Sequence, residues 1–227
     1  MIRLNTLREA IFPGTLSTLV SLCLVACSDM GRGQTRTTKT ATKAEIKAFF
    51  QGTGKAVVTF VGYSGSGYED QAAMIRAAER ILDDFDPRTT IVNSGATAEG
   101  IGAIYELAKR KGFVTTGIVS SQARRDDVAL SQYVDYVFYV KDATWGGYLK
   151  GTKRLSPTSE AMVENSSIVF GIGGGEVTRD ELLEAKRSGK KVQFFAADMN
   201  HQKAQEKARR KGLPLPTDFR GAAHAAF

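Results

Sequence analysis

Three consecutive glycines, Gly173, Gly174 and Gly175, follow the apolar run Ile168 to Ile172 and lead straight into Glu176-Val177-Thr178-Arg179-Asp180-Glu181. This pattern hands a buried strand over to a helix through a loop that carries no side chains. Missing Cβ atoms let backbone N–H groups close on an anion, and the positive end of the following helix dipole points at the same place. Phosphate is the usual guest of such a turn. Thr178 adds a hydroxyl and Glu181 a carboxylate. The same residues also have a purely local reading, in which the glycines make a tight turn and Thr178 and Glu181 form a capping box. A lone glycine loop does not separate the two.

Two further glycine turns have the same setting. Ala56 to Gly62 reads as a strand, Tyr63-Ser64-Gly65-Ser66-Gly67 as a turn, and the run containing Met74, Ile75, Ala78, Ile81, Leu82 and Phe85 as an amphipathic helix, with Ser66 and Glu69 at capping-box spacing. Thr89 to Asn93 is a second strand. After it Ser94-Gly95-Ala96-Thr97-Ala98-Glu99-Gly100-Ile101-Gly102 opens a helix with Ile101, Ile104, Leu107 and Ala108 inward and Gly112 just past its end. The first turn is spaced G-x-x-G-x-G rather than G-x-G-x-x-G, and no acidic ribose ligand follows a second strand at the expected place. An NAD site of that type is not expected.

The remaining elements complete an alternation. Thr42 and Glu45 predict a capping box for a short helix with Ile46, Phe49 and Phe50 on its apolar face and Gly52 at its close. Strands are expected at Phe113 to Val119, Tyr133 to Val140 and Lys191 to Ala197. Ser120 to Gln132 reads as polar and partly helical, Ser156-Pro157 starts a helix running to Asn165, and Asn200 to Lys211 forms a charged helix. Trp145, in the loop Ala143 to Tyr148, is expected to cover the core edge more readily than to stack on a base. The whole is an α/β chain: a doubly wound, mostly parallel, Rossmann-like sheet with helices on both faces, in a single domain. Ligands sit at the carboxyl ends of the strands in such sheets, where the three glycine turns would gather.

At 227 residues, 42% hydrophobic and 24% charged, the chain suits one such domain with extensions. Its formal charge of +7 comes without a nucleic-acid motif, so a basic solvated surface is expected and no nucleic-acid partner. Arg3 and Arg8 precede a mostly apolar stretch, Ala10 to Ala26, of secretory-signal length. At its end Leu24-Val25-Ala26-Cys27 resembles the lipobox of bacterial lipoproteins, in which the cysteine is acylated and becomes the new N-terminus. In that family a serine at the next position, here Ser28, goes with transfer to the outer membrane. The alternative, a core cysteine in a cytosolic helix, fits poorly with the polar, unpatterned Ser28 to Thr42. The expected organisation is therefore a signal peptide at 1–26, a basic tether at 27–43, the α/β domain at 44–212 and a tail at 213–227, held to a bacterial membrane through Cys27. With Cys23 removed no disulfide remains, and His201 and His224 offer no zinc spacing.

Taken together, the turns resemble those of the LOG superfamily, also called SLOG, over roughly Ala56 to Met199. The family hallmark P-G-G-x-G-T-x-x-E is matched at Gly174, Gly175, Thr178 and Glu181, with Gly173 in place of the proline and Val177 in place of the third glycine. A second family turn, G-G-G-x-x-G-L-M-G-A, is echoed by Ser94 to Ala103 with one extra residue. The resemblance implies a nucleotide-like ligand whose phosphate is held by Gly173, Gly174, Gly175, Glu176 and Thr178, with Gly65, Ser66, Gly67, Gly95, Thr97 and Gly100 contributing from the other turns. Glu181 would face the ribose. The family arginine that works with this glutamate falls near Thr158, whereas Lys153 and Arg154 lie about one helical turn earlier, so Arg154 is the substitute cation. Cleavage of an N-glycosidic bond needs charge against the developing oxocarbenium and leaving base. Binding as a sensor or carrier is therefore expected ahead of phosphoribohydrolase activity releasing a base, with Glu181 and Arg154 as its machinery, and ahead of a lipoprotein with an inactive site. Neither cofactor nor metal is implied. Family members commonly dimerise through helices beside the site, which makes a homodimer the implied assembly.

Overall fold

A computed structural model describes residues 36–227. The signal segment, Cys27 and the first part of the tether lie outside the described residues. Strands β1 (Thr37–Thr40), β2 (Ala56–Gly62), β3 (Thr90–Ser94), β4 (Val114–Ser120), β5 (Tyr136–Val140), β6 (Ile168–Ile172) and β7 (Lys191–Phe195) form one parallel sheet in the order β1-β5-β4-β3-β2-β6-β7. The helices are α1 (Lys43–Thr53), α2 (Gln71–Asp83), α3 (Ile104–Arg110, after a 3-10 turn at Gly100–Ala103), α4 (Gln122–Arg125), α5 (Pro157–Asn165), α6 (Glu176–Arg187), α7 (His201–Arg210) and α8 (Gly221–His224). The domain is a doubly wound α/β sheet.

Alternation along β2 shows how the layers form. Val58 and Phe60 point to the core built with α2 and α3, while Val57 and Val61 point the other way, toward the cores under α1, α5 and α6. Fully burying each such side chain stabilises the fold by roughly 1.5–3 kcal/mol. Between them lies a buried polar patch. Asn93 Nδ2 donates to Thr59 Oγ1 (3.2 Å), Thr116 Oγ1 donates to Asn93 Oδ1 (2.9 Å), and Ser166 Oγ donates to the carbonyl of Met162 (2.7 Å). Each polar group in that patch is satisfied by another, as burial demands.

Local signals and tertiary packing part company at several ends. The capping box at Thr42 and Glu45 forms as expected, but α1 runs through Gly52 and closes at Gly54, whose φ is 64°. Ser66 does not cap α2; the cap is Asp70, whose carboxylate accepts from the Ala73 N–H (2.7 Å). Tyr68 is the reason: its hydroxyl donates to the Ile172 carbonyl (2.7 Å) and accepts from the Tyr63 N–H (3.2 Å), which fixes residues 63–68 in a turn. β5 starts later than its apolar pattern, because the buried Asp135 carboxylate accepts from the Thr115 N–H (2.9 Å) and Lys109 Nζ (2.9 Å) and holds the approach as a bend. Thr37–Thr40, inside the stretch read as tether, is an edge strand paired with β5.

The chain steps outward from β2 through β3, β4 and β5, and then returns through α5 to place β6 on the other side of β2. Loops leaving β2 and β6 therefore diverge. That topological switch opens a crevice at the carboxyl ends of the strands.

Candidate functional site

The crevice is a cleft of about 470 Å³. Five of the residues singled out in the sequence meet in its wall: Gly65 after β2, Gly95 and Thr97 after β3, and Thr178 and Glu181 on α6. At Gly65 and Gly95 a Cβ would meet nothing within 4 Å, and neither has the positive φ that demands glycine. Folding alone does not require glycine there, and the backbone of both turns stays open to the cleft.

Gly173 and Gly174 are different. Their φ values are 54° and 129°, and a Cβ on Gly174 would fall 2.4 Å from the Thr178 side chain. They shape the handover from β6 to α6 and do not themselves line the cleft, nor do Gly175 and Glu176. α6 begins at Glu176 with Gly175 as an N-cap that has no side-chain bond, so Thr178 and Glu181 form no capping box. The N–H groups of Glu176, Val177 and Thr178 make no hydrogen bond among the described residues. Thr178 Oγ1 donates to the Gly62 carbonyl (3.2 Å), which locks α6 to the end of β2 and commits the hydroxyl proton.

Glu181 faces the cleft from a buried position, 6% exposed. Its Oε1 accepts from Ser159 Oγ (2.6 Å), which itself accepts from the Gly147 N–H (2.8 Å). Burial pushes this carboxyl up to about 7, the Ser159 bond opposes that rise, and the Asp180 charge adds to it. Asp180 points the other way. It accepts from the Tyr148 N–H (2.8 Å) and from Arg179 (2.8 Å), and so pins the loop 143–148 to α6.

That loop carries Trp145, which is 51% exposed and lines the cleft mouth rather than covering the core edge. Gly146, with φ 123°, lies so close to α5 and α6 that a Cβ would stand 2.9 Å from Ser159 Oγ. Asp142 anchors the loop's start by accepting from the Thr158 N–H (2.9 Å) and the Thr144 N–H (2.8 Å). Burial alone would raise the Asp142 carboxyl, but these donors hold it below the usual range.

No family model matches the chain, and no curated protein matches it. Among solved structures it is similar to the Moco carrier protein from Chlamydomonas reinhardtii, at 16% identity over 75% of this chain and 94% of that one, with a TM-score of 0.45. It is similar to the molybdenum cofactor binding protein from the phototrophic bacterium Rippkaea orientalis, at 15% identity over 70% of this chain and 85% of that one (TM-score 0.46). A third is DNA processing protein A from Streptococcus pneumoniae, at 14% identity over 73% and 60% (TM-score 0.44).

Other residues singled out in the sequence are placed elsewhere. Arg154 is exposed in the turn before α5, where its carbonyl accepts from the Leu149 N–H (2.9 Å), and it does not line the cleft. Ser66, Gly67 and Gly100 do not line it either. Gly100 instead packs on the first turn, its Cβ position 2.2 Å from the Tyr63 carbonyl oxygen. Thr158, near the expected position of the family arginine, does line the cleft and is buried there. Among the described residues, the charged side chains of the wall are Glu99 and Glu181, and Glu99 is paired with Lys203 (3.1 Å).

Two features had no signal in the linear sequence. Ser159 as the partner of Glu181 depends on α5 and α6 lying side by side. The segment 213–227 is not a bare tail: Tyr63 Oη donates to the Arg220 carbonyl (2.7 Å), and the Ala223 N–H donates to the Gly174 carbonyl (3.1 Å), so the chain end straps the glycine loop.

Proposed function

We propose that the domain binds a phosphate-bearing small molecule, a nucleotide or nucleotide-like compound, as a sensor or carrier. The observation that carries this reading is the open space over Gly65 and Gly95 in a cleft bordered by the unbonded first turn of α6. Backbone N–H groups and the helix dipole supply the anion site. Ile118, Val128, Leu130 and Met162 give the cleft an apolar wall, and Trp145 stands at its mouth, an arrangement suited to a planar ring. Among the described residues no lysine or arginine lines the wall to supply charge for glycosidic cleavage, which favours binding over cleavage.

The test is a thermal-shift screen of nucleoside monophosphates, nucleotide sugars and dinucleotides, with base release followed in the same wells. A ligand at about 100 times its Kd should stabilise the protein by about 2.7 kcal/mol, without base release and equally in the Glu181→Gln variant. Failure of every compound to shift the transition ends this reading. Release of base by the wild type and not by Glu181→Gln would support the hydrolase, whose one favourable observation is a Glu181 carboxyl near 7, poised to exchange a proton at neutral pH.

The same proposal places the domain in a bacterial cell envelope, anchored through a lipid on Cys27. Its support is the Leu24-Val25-Ala26-Cys27 motif behind a basic and then apolar segment. Labelled palmitate should enter the wild-type chain in bacteria and be lost in Cys27→Ser; an unlabelled wild type refutes the anchor.

A further inference from the structure

A second surface lies away from the cleft, at the end of α7. That helix buries only Ala208. Lys207, Arg209, Arg210 and Lys211 are all exposed, and none makes a salt bridge or side-chain hydrogen bond among the described residues. The acids nearest in sequence are engaged elsewhere, Glu206 with Gln202 (2.9 Å) and Asp218 with Arg220 (2.8 Å). The cations sit at the negative end of the helix dipole, which stabilises them there but leaves their outward charge unspent.

The chain beyond them is apolar and held outward. Gly212, φ 63°, ends the helix, and the Leu213 N–H donates to the Ala208 carbonyl (3.0 Å). In this kind of helix ending the residue after the glycine usually folds back on the last turn. Leu213 instead remains 57% exposed and Leu215 49%. Pro214 and Pro216 restrict the backbone beside them. Farther on, the Phe219 carbonyl accepts from the Met199 N–H (2.8 Å) and its ring stacks on His201 at 3.9 Å, so the loop is tied at both ends.

We propose that Lys207 to Leu215 is a contact surface for an anionic phospholipid membrane. Unpaired cations beside projecting leucines match a surface with negative headgroups over an acyl boundary: the charges draw the domain in and the leucines enter the interface. A nucleic acid would satisfy the cations alone. It offers the leucines no apolar phase, and Lys207 to Leu215 contains no aromatic ring on which a base could stack. This surface depends neither on the cleft nor on Cys27.

The test is binding of the full chain to vesicles of phosphatidylcholine with and without about one-third phosphatidylglycerol, read as the difference between the two, which cancels the contribution of the apolar N-terminal stretch. At about fivefold per cation, the Lys207→Ala/Arg210→Ala/Lys211→Ala variant should lose on the order of 100-fold in affinity for the anionic vesicles. Leu213→Ser/Leu215→Ser should weaken binding at unchanged charge, and salt should weaken the wild type. Circular dichroism should show both variants folded, since every changed side chain is exposed. Equal binding to both vesicle types, or a triple variant that binds anionic vesicles as the wild type does, overturns the proposal. So does duplex DNA binding lost in the triple variant with vesicle binding unchanged.

Discussion

Raising the pH from 4.5 to about 8 is expected to cost the wild-type domain on the order of 3 kcal/mol more stability than it costs Glu181→Gln. Burial among α5, α6 and the loop 143–148 favours the neutral carboxyl, so native Glu181 holds its proton up to about 7 whereas the unfolded chain releases it near 4.5. Between those values the native state binds more protons than the unfolded state. Stability from this group is therefore fully present below 4.5, declines as pH rises through 7, and changes no further above it. Glutamine keeps an acceptor for Ser159 Oγ and cannot ionise, so the difference between the two proteins reports on this carboxyl. Urea denaturation at closely spaced pH values measures the difference directly. Parallel curves for the two proteins would show that Glu181 titrates as an ordinary exposed carboxylate.

Gly100→Ala should destabilise the domain by about 3–5 kcal/mol, by left-handed backbone cost, overpacking and a lost hydrogen bond. Gly100 has φ 59°, and its Cβ would lie 2.2 Å from the Tyr63 carbonyl oxygen and 2.4 Å from that of Ser64. Those are backbone atoms and cannot swing away. Relief would require the first two glycine turns to separate, breaking the Ile101 N–H bond to the Tyr63 carbonyl (2.7 Å) and the Gln71 bond to the Gly100 carbonyl (3.1 Å). Gly65→Ala is the matched control. With open space and no positive φ it should change stability by no more than about 0.5 kcal/mol, while weakening any ligand that closes on the turn. If both alanines are tolerated alike, the contact between the turns does not organise the cleft.

These contrasts show what kind of information each level holds. Strand–turn–helix alternation, the capping box at Thr42 and Glu45, the Ser156-Pro157 helix start and the Gly112 helix end were legible in sequence, because each depends on residues within a few positions of one another. The glycine loop running into a helix at Thr178 and Glu181 was likewise readable, although their alternative reading as a capping box fails because Gly175 is the N-cap. What sequence could not rank was equal local candidates. Ser66 and Asp70 can both cap a helix, and only the anchoring of Tyr68 on the end of β6 selects Asp70.

Arg154 stands close to the expected cation position along the chain, yet the turn ahead of α5 carries it out of the cleft, and Thr158 takes the wall. Ser159 becomes the partner of Glu181 because α5 and α6 pack together, an encounter across 22 positions. The strap from Arg220 to Ala223 over Gly174 closes across a longer gap still. The sequence by itself determined most of the strands, helices and side-chain-free turns, since periodicity and capping are short-range, but not the edge strand Thr37–Thr40 or the terminal helix Gly221–His224. Which turns meet, which carboxylate is buried and which cations stay in water were decided only by the packing of the sheet, where every contact is made by residues distant along the chain.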